Sequence, residues 1–546
     1  MLFNSYQFIF LFLPVVLVVC FILASASGAW AAQLWLTAAS LFFYASWSLS
    51  YLPLLIVSIT FNYAISVFMI RSSSNAARSF LLITAVVIDL ALLGYYKYAN
   101  FFSNILSTTI GVDFSLPAIL LPLGISFYTF QQLTLLADMK SRVDGESPQF
   151  HHFFLFVTFF PHLIAGPIVH HREMMPQFER ADYRLRWPNL AIGGSLFVIG
   201  LFKKVVLADG IAAYVSPLYI SASAGHRLTF LSAWAAAFGF ILQMYFDFSG
   251  YSEMALGLAR MVGIKLPINF NSPLKASSIT DHWSRWHMTL TRFLGEYVNM
   301  PLMIWFTRRR KMAGKSGIGG PQVTIGALFN IVALPSLTTM FLAGLWHGAG
   351  YQFLVWGALN GFYISVNQVW RFVNPRFWKD RTCYSRVMGP VGFLMTLFAV
   401  VVAIPFFRSD SLTTAFNVFG GLFFQNGVAL PEAIANRAPG LADNLTRLGI
   451  VFEPASLSNL INEWLWVGAL LSIALLAPNA IEIFRNYEPV VSLPPTISEE
   501  RSTAAGALKR WVVWSPRPSW AIAMAVFGVM GILALTRASA FLYWQF

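Results

Sequence analysis

The chain has 546 residues, of which 57% are hydrophobic and 11% charged, and its formal net charge is +13. Soluble domains carry about 25% charged residues, so this chain lacks the polar surface of a soluble enzyme, a disordered segment or a nucleic-acid binder. Its apolar residues fall instead into runs of about 20, the length that crosses a ~30 Å hydrocarbon layer, which predicts an all-α polytopic membrane protein.

The first run, 7–26, ends at Ala24-Ser25-Ala26, which imitates a signal-peptidase site. A cleavable leader has a basic start, whereas the first Lys or Arg here is Arg71, so the run reads as an uncleaved span. Further runs follow at 30–47, 51–70 and 79–98. Arg71 and Arg78 put the end of the third run inside and Met1 outside. The next runs, 116–137 and 151–169, carry Pro122-Leu123-Gly124 and Phe159-Phe160-Pro161-His162-Leu163-Ile164-Ala165-Gly166-Pro167. Pro and Gly placed like this mark broken or re-entrant helices lining a cavity.

The runs 187–207 and 229–248 follow, and the stretch Gln243–Glu253 at the end of the second carries two acids in apolar surroundings, Asp247 and Glu253. A carboxylate at that depth needs a partner: a histidine, Arg285, or the Lys203-Lys204 pair. An ion pair holding helices in register explains these acids at least as well as catalysis does.

Residues 264–320 break the pattern with polar, aromatic and basic groups, expected partly in the interface and partly folded into the protein. Within them stands Thr280-Asp281-His282-Trp283-Ser284-Arg285-Trp286-His287. Asp281 is a candidate N-cap, Asp281 and Arg285 are spaced i,i+4, and a helix would carry Trp283 and His287 on one face. An interfacial anchor explains the Trp and Arg residues but gives His287 no purpose.

The runs 323–345 and 350–370 meet at Gly344-Leu345-Trp346-His347-Gly348-Ala349-Gly350. A neutral imidazole tolerates a membrane and still accepts a proton, and the glycines permit unwinding or close approach. An interfacial Trp-His pair in a tight turn fits equally well. Beyond 388–407, segment 409–462 has two Arg against four acids (Asp410, Glu432, Asp443, Glu453) and reads as an extracytoplasmic loop. The runs 463–478 and 518–540 flank a Pro-rich cytoplasmic connector at 485–517. Allowing for re-entrant segments, roughly 11 to 13 transmembrane and re-entrant helices are expected.

Basic residues cluster in short loops, Arg308, Arg309, Arg310, Lys311 and Lys315 in one and Arg371, Arg376, Lys379, Arg381 and Arg386 in another. That is an orientation signal and does not call for nucleic acid. Cys20 and Cys383 suit neither a disulfide nor a thiolate metal site. Among the nine histidines the close pairs are adjacent (151/152, 170/171) or five apart (282/287) rather than three or four apart, so no metal is expected. No phosphate-binding glycine loop and no G-x-S-x-G elbow occurs.

In this order the motifs resemble the membrane-bound O-acyltransferase (MBOAT) family, and within it the bacterial branch that acetylates exported polysaccharides. The resemblance runs from Phe3-Asn4-Ser5-Tyr6-Gln7-Phe8 through Leu121–Gln131, 159–168 and Gly200-Leu201-Phe202-Lys203-Lys204. It continues through Tyr245–Ser252, Asn269-Phe270-Asn271-Ser272-Pro273 and the two histidine motifs to Phe541-Leu542-Tyr543-Trp544-Gln545-Phe546. His282 and Ser284 stand where Phe and Arg are usual, Gly295-Glu296-Tyr297 where Arg-Asp-Tyr is, and Asn360-Gly361 where His-Gly is.

The resemblance implies one membrane-embedded domain over 1–546, with core motifs in 116–370, built as a ring of helices around a central tunnel. It also implies a cytoplasmic thioester donor, acetyl-CoA or an acyl carrier, and no bound cofactor. The acceptor would be an exported glycan of alginate, cellulose or peptidoglycan type, reached directly or through a periplasmic acetyltransferase or esterase-like partner, at the bacterial inner membrane with lipid around it. His347 would be the general base and His287 the second catalytic histidine. Trp346, Trp283, Arg285, Asp247, Asn271 and Gly348 would support or bind substrate. A near-neutral imidazole accepts a hydroxyl proton at pH 7, and such a base contributes roughly 10²–10⁴-fold. A transporter passing an acyl donor without transfer chemistry is the alternative, although no repeated half with matching broken helices is seen.

Overall fold

In the computed structural model the described residues are 1–113, 116–140, 149–318, 323–374, 377–378, 380–494, 512–537 and 542. Arg376, Lys379, most of the 485–517 connector and all of 541–546 except Leu542 lie outside them.

The elements are almost all helices. In chain order they are α1 (Leu13–Ala26), α2 (Ala29–Ala45), α3 (Leu52–Arg71), α4 (Asn75–Ile110), α5 (Ile125–Lys140), α6 (Phe150–Thr158), α7 (Phe160–Leu163) and α8 (His171–Arg180). Next are α9 (Trp187–Phe202), α10 (Asp209–Ser223), α11 (Phe230–Met261), α12 (Ile279–Arg285), α13 (Met288–Leu294), α14 (Met300–Met312), α15 (Ile325–Ala327) and α16 (Leu334–His347). The last are α17 (Tyr351–Val373), α18 (Arg381–Arg408), α19 (Leu412–Leu422), α20 (Glu432–Arg437), α21 (Pro439–Arg447), α22 (Leu457–Leu476), α23 (Ala480–Ile483) and α24 (Pro518–Ala534).

Among the described residues, eight helices are long and apolar enough to cross a membrane, and α24, at 17 residues, is apolar but shorter. The protein is an all-α polytopic membrane protein. The segment 409–462, expected as a loop, contains α19, α20 and α21. It also holds two short parallel strands, β1 (Val428–Pro431) and β2 (Ile450–Glu453), with Val428 opposite Ile450. Strands of four residues leave too little alternation to read.

The chain divides into two compact units. The first comprises Met1–Val205, Phe248–Asn269 and Pro478–Gln545, the second Val206–Asp247 and Phe270–Ala477.

In the first unit, α9 packs on the second half of α11 through two glycine pairs. A Cβ on Gly193 would lie 2.5 Å from the Gly257 carbonyl oxygen, and one on Gly200 2.4 Å from that of Gly250. Small residues at this spacing bring two helix backbones into direct contact, which dispersion favours where lipid supplies no hydrophobic drive. One turn on, Lys203 Nζ donates to Glu253 Oε1 at 2.6 Å in a buried pair. Of the partners the sequence offered for the buried acids, the one on Glu253 is Lys203.

In the second unit, α16 and α17 form a tight antiparallel hairpin. A Cβ on Gly344 would meet the Phe353 carbonyl oxygen at 2.3 Å, and one on Gly348 would overlap the Phe353 ring at 2.1 Å. Gly348 has φ −167°, extended backbone that any residue adopts. Of the two roles the sequence offered these glycines, Gly348 serves close approach rather than unwinding.

Candidate active site

Both singled-out histidines belong to the second unit, and its helix ends place them. His347 is the last residue of α16, at the tip of the hairpin and 7% exposed. Its imidazole stands edge to face with Trp356 of α17 at 5.1 Å and with Phe407 of α18 at 5.0 Å. Trp346 packs on the same ring at 4.8 Å. Three aromatic walls therefore orient the ring.

His287 is reached by a different route. Ser278, not Asp281, caps α12, accepting from the Asp281 backbone N–H at 3.2 Å. Asp281 sits in the first turn, where its charge complements the helix dipole, and accepts from Arg285 Nε at 2.7 Å as the i,i+4 spacing predicts. The helix stops at Arg285, so Trp283 and His287 do not share a helix face. His287 instead adopts a left-handed conformation, φ 41° and ψ 53°, in the corner before α13. Non-glycine residues rarely adopt such angles unless their surroundings impose them, and they cluster at functional sites. Ser272 is left-handed too, φ 48°, and the Asn271 N–H beside it donates to the Arg285 carbonyl at 2.9 Å, tying the two strained corners together.

The corner turns the His287 ring toward Phe270, at 6.4 Å and near-parallel, and toward Trp346, at 6.3 Å. Trp346 thus touches both histidines. Trp283 closes the group from the other end, edge on to Trp356 at 5.7 Å. Its indole N–H is buried without a hydrogen-bond partner among the described residues, a donor held ready in apolar surroundings. Burial pushes the His287 imidazole down to about 3, so it is neutral at physiological pH and offers an N–H or a lone pair rather than a charge. His282 is pushed down by burial to about 4, while its Nδ1–H donates to the Pro273 carbonyl at 3.0 Å.

Asn271 is 5% exposed beside the Ser272 corner. Arg285 is committed to Asp281 and, through its carbonyl, to Asn271. Asp247 is 1% exposed on α11, two residues beyond Tyr245, whose ring packs on Phe270 at 6.4 Å. Trp356 and Phe407 were missed: both lie within apolar runs with nothing polar to mark them.

The first unit holds another cluster that the sequence did not reveal. Asp138, His170 and His171 bring their ligand atoms within 4.8 Å of one another. Arg172 Nη2 lies 2.9 Å from the same Asp138 Oδ2 that faces His170 Nε2 at 3.2 Å. A guanidinium on that oxygen makes the group an ion-pair cluster tying α5 to α8. Burial raises the Asp138 carboxyl, but His170, Arg172 and His171 outweigh it and hold the group below the usual range.

The sequence model of the MBOAT, membrane-bound O-acyltransferase family, matches residues 17–314, which include His287 and stop short of His347. The chain is 39% identical over 457 residues to the peptidoglycan O-acetyltransferase of Helicobacter pylori, covering 79% of this chain and 81% of that protein. It is 34% identical over 459 residues to the probable alginate O-acetylase AlgI of Pseudomonas aeruginosa, covering 82% and 79%. To the teichoic acid D-alanyltransferase of Bacillus subtilis it is 25% identical over 271 residues, covering 49% of this chain and 65% of that one.

Proposed function

This chain belongs to the membrane-bound O-acyltransferase family and is an O-acetyltransferase; we propose that it moves acetyl from a cytoplasmic thioester to hydroxyls of an exported polysaccharide. The observation that carries the reading is the buried His347 imidazole at the α16–α17 tip, fixed by Trp356, Phe407 and Trp346, with the neutral His287 against the far side of that Trp346 contact chain.

His347 accepts the proton of the acceptor hydroxyl as its oxygen attacks the thioester carbonyl. The tetrahedral oxyanion then collapses, the C–S bond breaks, and the proton leaves His347 for the thiolate. The donor is acetyl-CoA or an acetylated carrier. Trp283 Nε1–H is the leading oxyanion donor, with Trp346, Asn271 and the Gly348 N–H beside the same site. Preorganised donors of this kind are worth about 10²–10³-fold each. Glycan relatives of alginate and peptidoglycan type support a polysaccharide acceptor, reached directly or by relay through a periplasmic esterase-like protein. The setting is the bacterial inner membrane, with Met1 on the periplasmic side.

The test is thioester consumption and acetyl-glycan formation by purified, folded His347→Ala in detergent. The variant should insert normally and lose transfer. Full activity in a folded variant overturns the assignment, and thioester left intact by the wild type would make the chain a conduit instead.

A further inference from the structure

We propose that the second unit carries a built site for an anionic phospholipid, its acyl chains in two adjoining cavities and its phosphate on Arg308. The larger cavity has 780 Å³, with walls of Met303, Ile304 and Ile331 and three ionised side chains, Arg292, Glu296 and Arg308. The smaller has 330 Å³, shares Met303 and Ile318, and runs to Arg371. Both fall in the ~300–1,000 Å³ range of small-molecule sites. Two mostly apolar cavities meeting at Met303 and Ile318 fit the two hydrocarbon chains of a diacyl lipid better than a single-armed ligand.

The charge at the edge selects the headgroup. Two arginines against one glutamate leave the larger cavity net positive. The next two arginines are occupied within the fold: Arg310 donates to the Ser316 carbonyl at 3.1 Å and the Gly326 carbonyl at 3.0 Å, and Arg309 lies over the Trp305 ring at 5.2 Å. Arg308 has no carboxylate partner among the described residues and stands at the open edge. Helix α14, which carries it, has no buried residue and exposes Met300, Ile304 and Trp305 before its basic end. Apolar and Trp residues leading into a basic run are the pattern of a helix at the membrane interface, and basic pockets there hold acidic headgroups.

The full-length protein is equilibrated with mixed vesicles of phosphatidylglycerol and phosphatidylcholine, and retained lipid is measured by native mass spectrometry. Phosphatidylglycerol should be kept in preference, with R308Q losing about fivefold of that preference, the worth of one cation near an acidic surface. M303W, which adds bulk where the two cavities join and leaves the charge alone, should weaken retention of both lipids. K315Q, a cation outside the cavity walls, should change nothing. Equal retention of the two lipids by the wild type overturns the site. So does K315Q matching R308Q, which marks diffuse attraction, or displacement of phosphatidylglycerol by acetyl-CoA, which assigns the cavities to the donor's arm. The readout is lipid, not transfer, so it stands or falls apart from the proposed function.

Discussion

The ring of His347 meets that of Trp356 edge to face, 5.1 Å between centroids and 86° between planes. Such contacts are worth about 0.5–1.5 kcal/mol beyond the area they bury, and here they set the direction of a candidate base. Trp356→Phe keeps an aromatic face and should hold activity within a few-fold. Trp356→Ala removes the wall and leaves a cavity, with a stability loss of about 3–5 kcal/mol and a fall in kcat that exceeds any change in KM. Steady-state kinetics on the two variants, at a temperature where both remain folded, decides it. Equal kcat for both would mean that the contact does not orient His347.

The left-handed corner at His287 separates the imidazole's role from the backbone's. A non-glycine residue there costs roughly 1–2 kcal/mol, which glycine avoids. His287→Gly and His287→Ala should therefore lose transfer to the same extent, yet the glycine variant should unfold at the higher temperature. If alanine matches glycine in thermal stability, the left-handed geometry is wrong.

This corner also shows where the sequence stopped being legible. The histidines, Trp346, Trp283 and the Asp281–Arg285 pair were visible because polar and ionisable residues stand out among apolar runs. The break after Arg285 was not, because Trp283 and His287 keep a helical spacing even though the helix ends between them. Trp356 and Phe407 were invisible for the opposite reason: an aromatic residue inside an apolar run carries no mark of what it faces. Asp138, His170 and His171 meet only because α5 and α8 are brought together, and adjacency along the chain had argued against a shared site.

Acid should weaken the protein through its buried histidines. Burial lowers His282 to about 4 and His287 to about 3, against about 6.5 in an unfolded chain. Between those values the unfolded chain takes up protons that the folded protein refuses, so stability is complete above pH 6.5 and falls as the pH drops. Each group contributes up to about 1.4 kcal/mol per pH unit in that window. His282→Gln retains an N–H for the Pro273 carbonyl and does not titrate. Its melting temperature in detergent should decline less than that of the wild type between pH 7 and pH 5, and parallel curves would refute the assignment.

The Lys203–Glu253 pair, at 2.6 Å and buried beside the Gly200–Gly250 contact, tests whether these charges hold helices or serve chemistry. Removing one partner of a buried pair strands the other charge and costs about 3–5 kcal/mol, whereas replacing both with apolar residues of similar volume is often neutral. Lys203→Met and Glu253→Leu should each lower expression and melting temperature sharply. The double variant should recover both, and with them acetyl transfer, because the helices regain their register without the charges. Recovery of stability without recovery of transfer would place one of the two groups in the reaction and not only in the packing.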